Sequence, residues 1–86
     1  MSYSVQVSEK AEAELLDIPQ RFRRQILGKL PLIGANPRGY GEKLTGYEVW
    51  RVRSGDYRIL YEIEDQTQVV VIYAVLHRRE AYRNLG

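Results

Sequence analysis

Apolar and polar residues alternate through Tyr3-Ser4-Val5-Gln6-Val7, which predicts a short first strand, with Ser8 as the N-cap of a following helix. From Glu9 to Asp17, Ala11, Leu15, Leu16 and the following Ile18 fall near helical spacing. Glu9, Lys10, Glu12, Glu14 and Asp17 are left mostly toward water. Pro19 ends this helix. A second, Gln20 to Ile33, is predicted to place Phe22, Ile26, Leu27, Leu30 and Ile33 on one side, with Arg21, Arg24 and Lys29 largely on the other. Pro31 falls inside the pattern, removes a backbone hydrogen bond and is expected to kink or end the helix.

Gly34 through Gly46 holds Asn36-Pro37, four glycines and few apolar residues, and reads as an exposed connector. Beyond it Tyr47 to Arg53 alternates, Ser54-Gly55-Asp56 turns the chain, and Tyr57 to Glu64 alternates again, the pattern of a hairpin. After a turn at Asp65-Gln66, Val69 to Leu76 is apolar at almost every position, as in a central strand covered on both faces. The expected architecture is α+β in the order β-α-α-β-β-β, a helical hairpin packed on one face of a small, mainly antiparallel sheet, as a single domain over residues 1–86.

With 86 residues and no cysteine, the fold has neither a disulfide framework nor a thiolate zinc site and rests on its apolar core. No run of about 18 apolar residues is present. The start, Met1-Ser2-Tyr3-Ser4, lacks the pattern of an export signal, so the expectation is a soluble cytoplasmic protein without membrane contact. Thirteen Lys+Arg against eleven Asp+Glu give a net charge of only +2, too little to indicate nucleic acid alone. The kind of cation says more: from Tyr47 onward there are six arginines and no lysine. Arginine presents a planar, permanently charged fork that matches phosphate oxygens.

Residues two apart on a strand share a face. If Trp50, Val52, Ile59 and Ile63 turn to the helices, then Arg51, Arg53 and Arg58 converge on the opposite face, with Arg78, Arg79 and Arg83 just past the central strand. Such a set suits a phosphate site, while the plainer reading is that each arginine solvates an open sheet and pairs with Glu48, Glu62 or Glu64. Tyr57, Tyr61 and Tyr73 read as core or half-core, whereas Tyr82 lies in a polar tail. A single histidine and scattered acids supply no His-His or Glu-His ribonuclease pair and no metal-ligand spacing, so neither metal nor cofactor is expected. Phosphate-binding glycine motifs are absent as well.

The stretch Lys43-Leu44-Thr45-Gly46-Tyr47, the segment Arg51-Val52-Arg53-Ser54-Gly55-Asp56-Tyr57-Arg58-Ile59-Leu60-Tyr61-Glu62-Ile63 and the later His77-Arg78-Arg79-Glu80-Ala81-Tyr82-Arg83 together resemble the RelE/ParE toxin superfamily. With strand one, the helical hairpin and Asn36-Pro37, the resemblance covers nearly the whole chain. It implies the toxin of a type II toxin-antitoxin system, of the RelE type, that enters the ribosomal A site, cuts mRNA there and so inhibits translation. The implied chemistry is attack by a ribose 2′-hydroxyl on the adjacent phosphate. Arg58 would stabilise the phosphorane-like transition state, Arg78 would sit near the leaving oxygen, and Tyr82 would act as general base or stack on a base. Arg51 and Arg53 would hold phosphates, with Lys43, His77, Arg79 and Arg83 as further RNA contacts.

Where mRNA-cutting relatives carry paired lysines in the second strand, this chain has Val49 and Arg51, one cation fewer and a poorer proton donor. His77, the one side chain that titrates near neutrality, is either a loop residue or the missing acid. The resemblance also implies a cognate antitoxin, with ribosome and mRNA as the other partners and DNA reached only through the antitoxin complex. The alternatives are a ParE-like gyrase poison that does not cut nucleic acid, and an attenuated toxin acting mainly in an operon-repressing complex.

Overall fold

The computed structural model describes residues 2–79. Their elements are β1 (Ser4–Val7), α1 (Glu9–Leu16), α2 (Gln20–Ala35), α3 (Pro37–Tyr40), β2 (Glu42–Lys43), β3 (Trp50–Ser54), β4 (Tyr57–Glu64) and β5 (Val69–His77). One five-stranded sheet has the order β1-β5-β4-β3-β2; β1 runs parallel to β5 and the other pairings are antiparallel. The expected α+β class and strand succession therefore hold, with one short helix and one two-residue strand added within the connector.

Alternation sorts the sheet as anticipated. Trp50, Val52, Ile59, Tyr61, Ile63, Val70, Ile72 and Val75 meet Ala11, Leu15, Ile18, Ile26 and Ile33 of the helical layer in the main core. Leu60, Ala74 and Leu76, backed by Val49 and Tyr73, form a second cluster on the other face. The central strand β5 is thus covered on both sides, as its continuous apolar run requires. Pairing slips between Leu60 and Tyr61, where Tyr73 is the extra residue on β5.

Strand β1 reaches only Ile72 along β5, and the helical layer completes that edge. Ser8 Oγ donates to the Tyr73 carbonyl at 3.3 Å, and Glu14 Oε1 accepts from the Val75 N–H at 2.9 Å. Glu14, expected to face water, instead satisfies a backbone donor that no strand reaches. Ser8 also caps α1, its hydroxyl accepting from Ala11 N–H at 3.1 Å.

Three helical expectations need correction. Pro31 does not end α2, which continues to Ala35 because Ile33 and Gly34 beyond it are buried, and their packing outweighs one lost hydrogen bond. Gly34 is required there by space: a Cβ would lie 2.9 Å from both the Tyr3 carbonyl oxygen and Val5 Cγ2 on β1. Leu16 and Leu27, assigned to the core side, are 68% and 44% exposed; the apolar stripe is narrower than leucine content suggests. The connector, in turn, is built. Asn36 Oδ1 caps α3 by accepting from Gly39 N–H at 3.1 Å, and Pro37 occupies the first turn, where its missing donor costs nothing.

The connector is fastened to the sheet at two points. Arg38 grips Asp65 with two hydrogen bonds of 2.9 and 2.7 Å, and the Tyr3 hydroxyl donates to the same carboxylate at 2.7 Å. The Arg38 and Tyr3 donors together hold the Asp65 carboxyl at about 2, below the ordinary range. The fully buried Tyr61 hydroxyl donates to the Pro37 carbonyl at 2.6 Å. Gly41 lies directly over it, and a Cβ there would overlap the Tyr61 oxygen.

Burial pushes the Tyr61 hydroxyl from 10 up to about 12. The folded chain therefore holds that proton more tightly than the unfolded chain. This contribution to stability is complete below pH 10 and disappears as pH rises from 10 to 12. Tyr61→Phe leaves the Pro37 carbonyl unpaired and is expected to cost about 1–2 kcal/mol in urea unfolding at pH 7. It should also weaken the alkaline fall in stability above pH 10.

Candidate nucleic-acid interface

The β3–β4 register decides which side chains meet. Gly55, at φ +60°, takes the first central position of the two-residue turn, where a right-handed backbone would splay the strands. From this turn Ser54 pairs with Tyr57, Arg53 with Arg58, Val52 with Ile59 and Arg51 with Leu60. On β4's other side Arg58 faces Leu76 and Leu60 faces Ala74. The face away from the helices thus carries one row of Arg53, Arg58 and Leu76, and a second of Arg51, Leu60 and Ala74.

Arg58 is 6% exposed. Its Nη1 donates to the carbonyls of Gly55 at 3.3 Å and Tyr57 at 3.1 Å, drawing the guanidinium toward the turn. Among the described residues, no carboxylate lies within 4 Å of it or of Arg53. Like charges directly opposite on a sheet repel. The Leu60, Ala74 and Leu76 cluster lies on the same face and limits water at Arg58, while Arg53 is exposed.

Arg78 joins this end of the sheet. Its backbone N–H donates to the Asp56 carbonyl at 2.7 Å just past the end of β5. Its side chain rests loosely against Asp56, Nε to Oδ1 4.0 Å. Arg78 is thus held at the same β3–β4 turn whose Gly55 and Tyr57 carbonyls take the Arg58 guanidinium. Arg79 is exposed just beyond. Tyr82 and Arg83, assigned roles by resemblance, lie outside the described residues.

The remaining candidates are placed differently. Arg51 shares the arginine face but is paired with Glu42 of β2. Lys43, opposite Trp50, falls on the other side of the sheet and contacts Glu48 at 3.3 Å. His77 is paired with Tyr57, on the helix side. Its ring meets Tyr57 edge-on at 5.5 Å, and Tyr57 in turn meets Phe22 at 5.9 Å. Its neighbours in a cleft there are Glu14, Asp17, Ile18 and Val75, so the structure separates His77 from the arginine row. Glu42 was not visible in the sequence as a partner of Arg51, because β2 was read as connector. Among the described residues no three His, Cys, Asp or Glu side chains gather as a metal site.

A family model described as ParE toxin of type II toxin-antitoxin system, parDE, matches residues 5–82. The chain belongs to the RelE/ParE toxin family. It is 32% identical to toxin RelG of Mycobacterium tuberculosis, over 96% of this chain and 99% of that protein. It is 29% identical to the mRNA interferase toxin RelE of Escherichia coli, over 94% and 88%. The toxin-antitoxin complex RelBE2 from M. tuberculosis is similar with a TM-score of 0.84 and 28% identity, over 91% of this chain and all of the matched chain. A mutant of E. coli RelE in the free state gives 0.78 and 27%, over 96% and 93%.

In this RelE/ParE toxin Arg53 and Arg58 stand opposite each other with no carboxylate within 4 Å among the described residues, an arrangement chemically suited to an anion. Inorganic phosphate, raised at constant ionic strength with chloride, is expected to lift the melting temperature saturably. Tenfold excess over Kd corresponds to about 1.4 kcal/mol, a shift of several degrees for a domain of this size. Differential scanning fluorimetry should show this shift in the wild type and its loss in Arg58→Gln.

Proposed function

We propose that the chain is a ribosome-dependent endoribonuclease that cuts mRNA in the A site, the toxin half of a type II pair. The observation that carries this reading is the buried Arg58, paired in register with Arg53, with Arg78 held to the same turn through Asp56 and no carboxylate within 4 Å of Arg58 among the described residues. The naming of E. coli RelE as an mRNA interferase supports it.

In the proposed step the substrate's 2′-hydroxyl attacks the adjacent phosphorus and loses its proton to Tyr82. The pentavalent phosphorus gathers negative charge on its equatorial oxygens, which the buried, turn-held Arg58 and the exposed Arg53 meet as donors. The P–O5′ bond then breaks, leaving a 2′,3′-cyclic phosphate and a 5′-oxygen beside Arg78, which takes up a proton from solvent. Tyr82 can accept a proton only with nearby cations favouring its phenolate, a role open to Arg58 and Arg78. Arg51, already engaged by Glu42, supplies orientation more than charge. Lys43, held by Glu48, and His77, on the helix side, have no part in this step.

The partner in this reading is a cognate antitoxin whose acidic segment covers the arginine face. The M. tuberculosis and E. coli relatives have been solved as toxin-antitoxin complexes.

Induced expression of the wild type should arrest bacterial growth, and Arg58→Ala should relieve the arrest with an unchanged circular dichroism spectrum. Loss of one oxyanion-type donor lowers the rate by about 10²–10³-fold. Primer extension on translated messages should show cuts within codons. Intact messages beside broken chromosomal DNA would overturn the nuclease reading in favour of a gyrase poison.

A further inference from the structure

A second feature adjoins the arginine row and shares Arg51 and Arg53 with it, while its other lining residues have no role in the step above. Strand β2 pairs with β3 only at Lys43↔Trp50 and Glu42↔Arg51. Past that point the chain leaves the sheet through Gly41 and Tyr40. The outer edge of Val52 and Arg53 thus has no strand partner among the described residues. The resulting cleft, about 350 Å³, is lined by Tyr40, Gly41, Glu42, Arg51, Val52 and Arg53.

Its composition is specific. Tyr40 is 39% exposed at the end of α3, which leaves its aromatic ring accessible in the cleft. Arg51 and Arg53 also line it, and Glu42, paired with Arg51, keeps an accessible carboxylate, its side chain 69% exposed. Gly41 sets the spacing. Its backbone rests on the Tyr61 hydroxyl and close to the Arg51 carbonyl, an approach that a side chain would prevent. This contact draws Tyr40 in beside the arginines.

An aromatic face, two guanidiniums and unpaired backbone groups on a strand edge are the elements that hold single-stranded RNA: a stack for the base and cations for its phosphates. We propose that this cleft is a nucleotide subsite, in which Tyr40 stacks on an unpaired base next to the phosphate held by Arg53. Glu42, an acceptor only, favours a base edge with an exocyclic amino group over uracil, whose one N3–H is flanked by two carbonyl oxygens that repel a carboxylate. This inference rests on the reading of the chain as an RNA-cutting toxin and names part of how it grips its substrate.

The test uses the full chain made by cell-free synthesis and labelled single-stranded RNA hexamers of defined base, with affinity read by fluorescence anisotropy across a salt series. Tyr40→Ala is expected to weaken binding about tenfold, the scale of one lost stack, without changing the slope against salt. Tyr40→Trp should bind as wild type. Arg53→Ala should reduce the slope by about 0.7, one phosphate contact. Guanine- or cytosine-containing hexamers should bind more tightly than oligouridine, and Glu42→Gln should narrow that gap.

Equal binding by wild type and Tyr40→Ala, or no saturable binding by the wild type, would overturn the subsite. So would a Tyr40→Ala defect confined to antitoxin binding. A separate cleavage assay in a translating extract keeps the two proposals apart. If wild type and Tyr40→Ala cut messages equally, the subsite fails and the nuclease reading stands. If the wild type binds hexamers through Tyr40 but cuts no message, the nuclease reading fails and the subsite stands as a binding site.

Discussion

The cationic pair Arg53–Arg58 exists only while β3 and β4 keep a single register. A slip of one residue would carry one arginine into the core and bring Val52 or Ile59 to the surface. Two features prevent the slip. The left-handed Gly55 fixes the turn, and the apolar residues on the helix side have only one arrangement that buries them all. The hydrophobic pattern and the charge pattern are thus one constraint seen from two faces of the same ladder. Packing on the helix side stabilises a repulsive arrangement on the other.

The peripheral elements serve that ladder. Ser8 and Glu14 complete the β5 edge that β1 is too short to cover, so the strand opposite Arg58 stays ordered to His77. Asp65, held by Arg38 and Tyr3, ties the connector and β1 to the far end of the β4–β5 hairpin. Tyr61 ties α3 to β4 from within the core. These fastenings leave the turn end, where Arg53, Arg58 and Arg78 gather, as the region with cations in excess of nearby carboxylates.

Much of this was legible in the sequence because a sheet with two different faces writes a period of two into its strands. Tyr57–Glu64 matched its expected bounds, and the facing of Arg51, Arg53 and Arg58 followed from alternation alone. The connector was illegible for a physical reason. A four-residue helix and a two-residue strand are too short to show a period, and their stability comes from the Asn36 cap and the Tyr61 and Asp65 contacts, all of long range except the cap. The Glu42–Arg51 pair and the Tyr40 cleft were hidden with them. The resemblance implies His77 as an RNA contact, and strand pairing places its ring against Tyr57 on the helix side.

A double-mutant cycle on Arg53 and Arg58 tests the central claim most directly. Urea unfolding of the wild type, Arg53→Gln, Arg58→Gln and the double variant at low salt should give a repulsive coupling of about 0.2–1 kcal/mol, shrinking as salt is raised. A coupling of zero, or an attractive one, would contradict the account, since the opposed guanidiniums would then carry no strain for an anion to relieve.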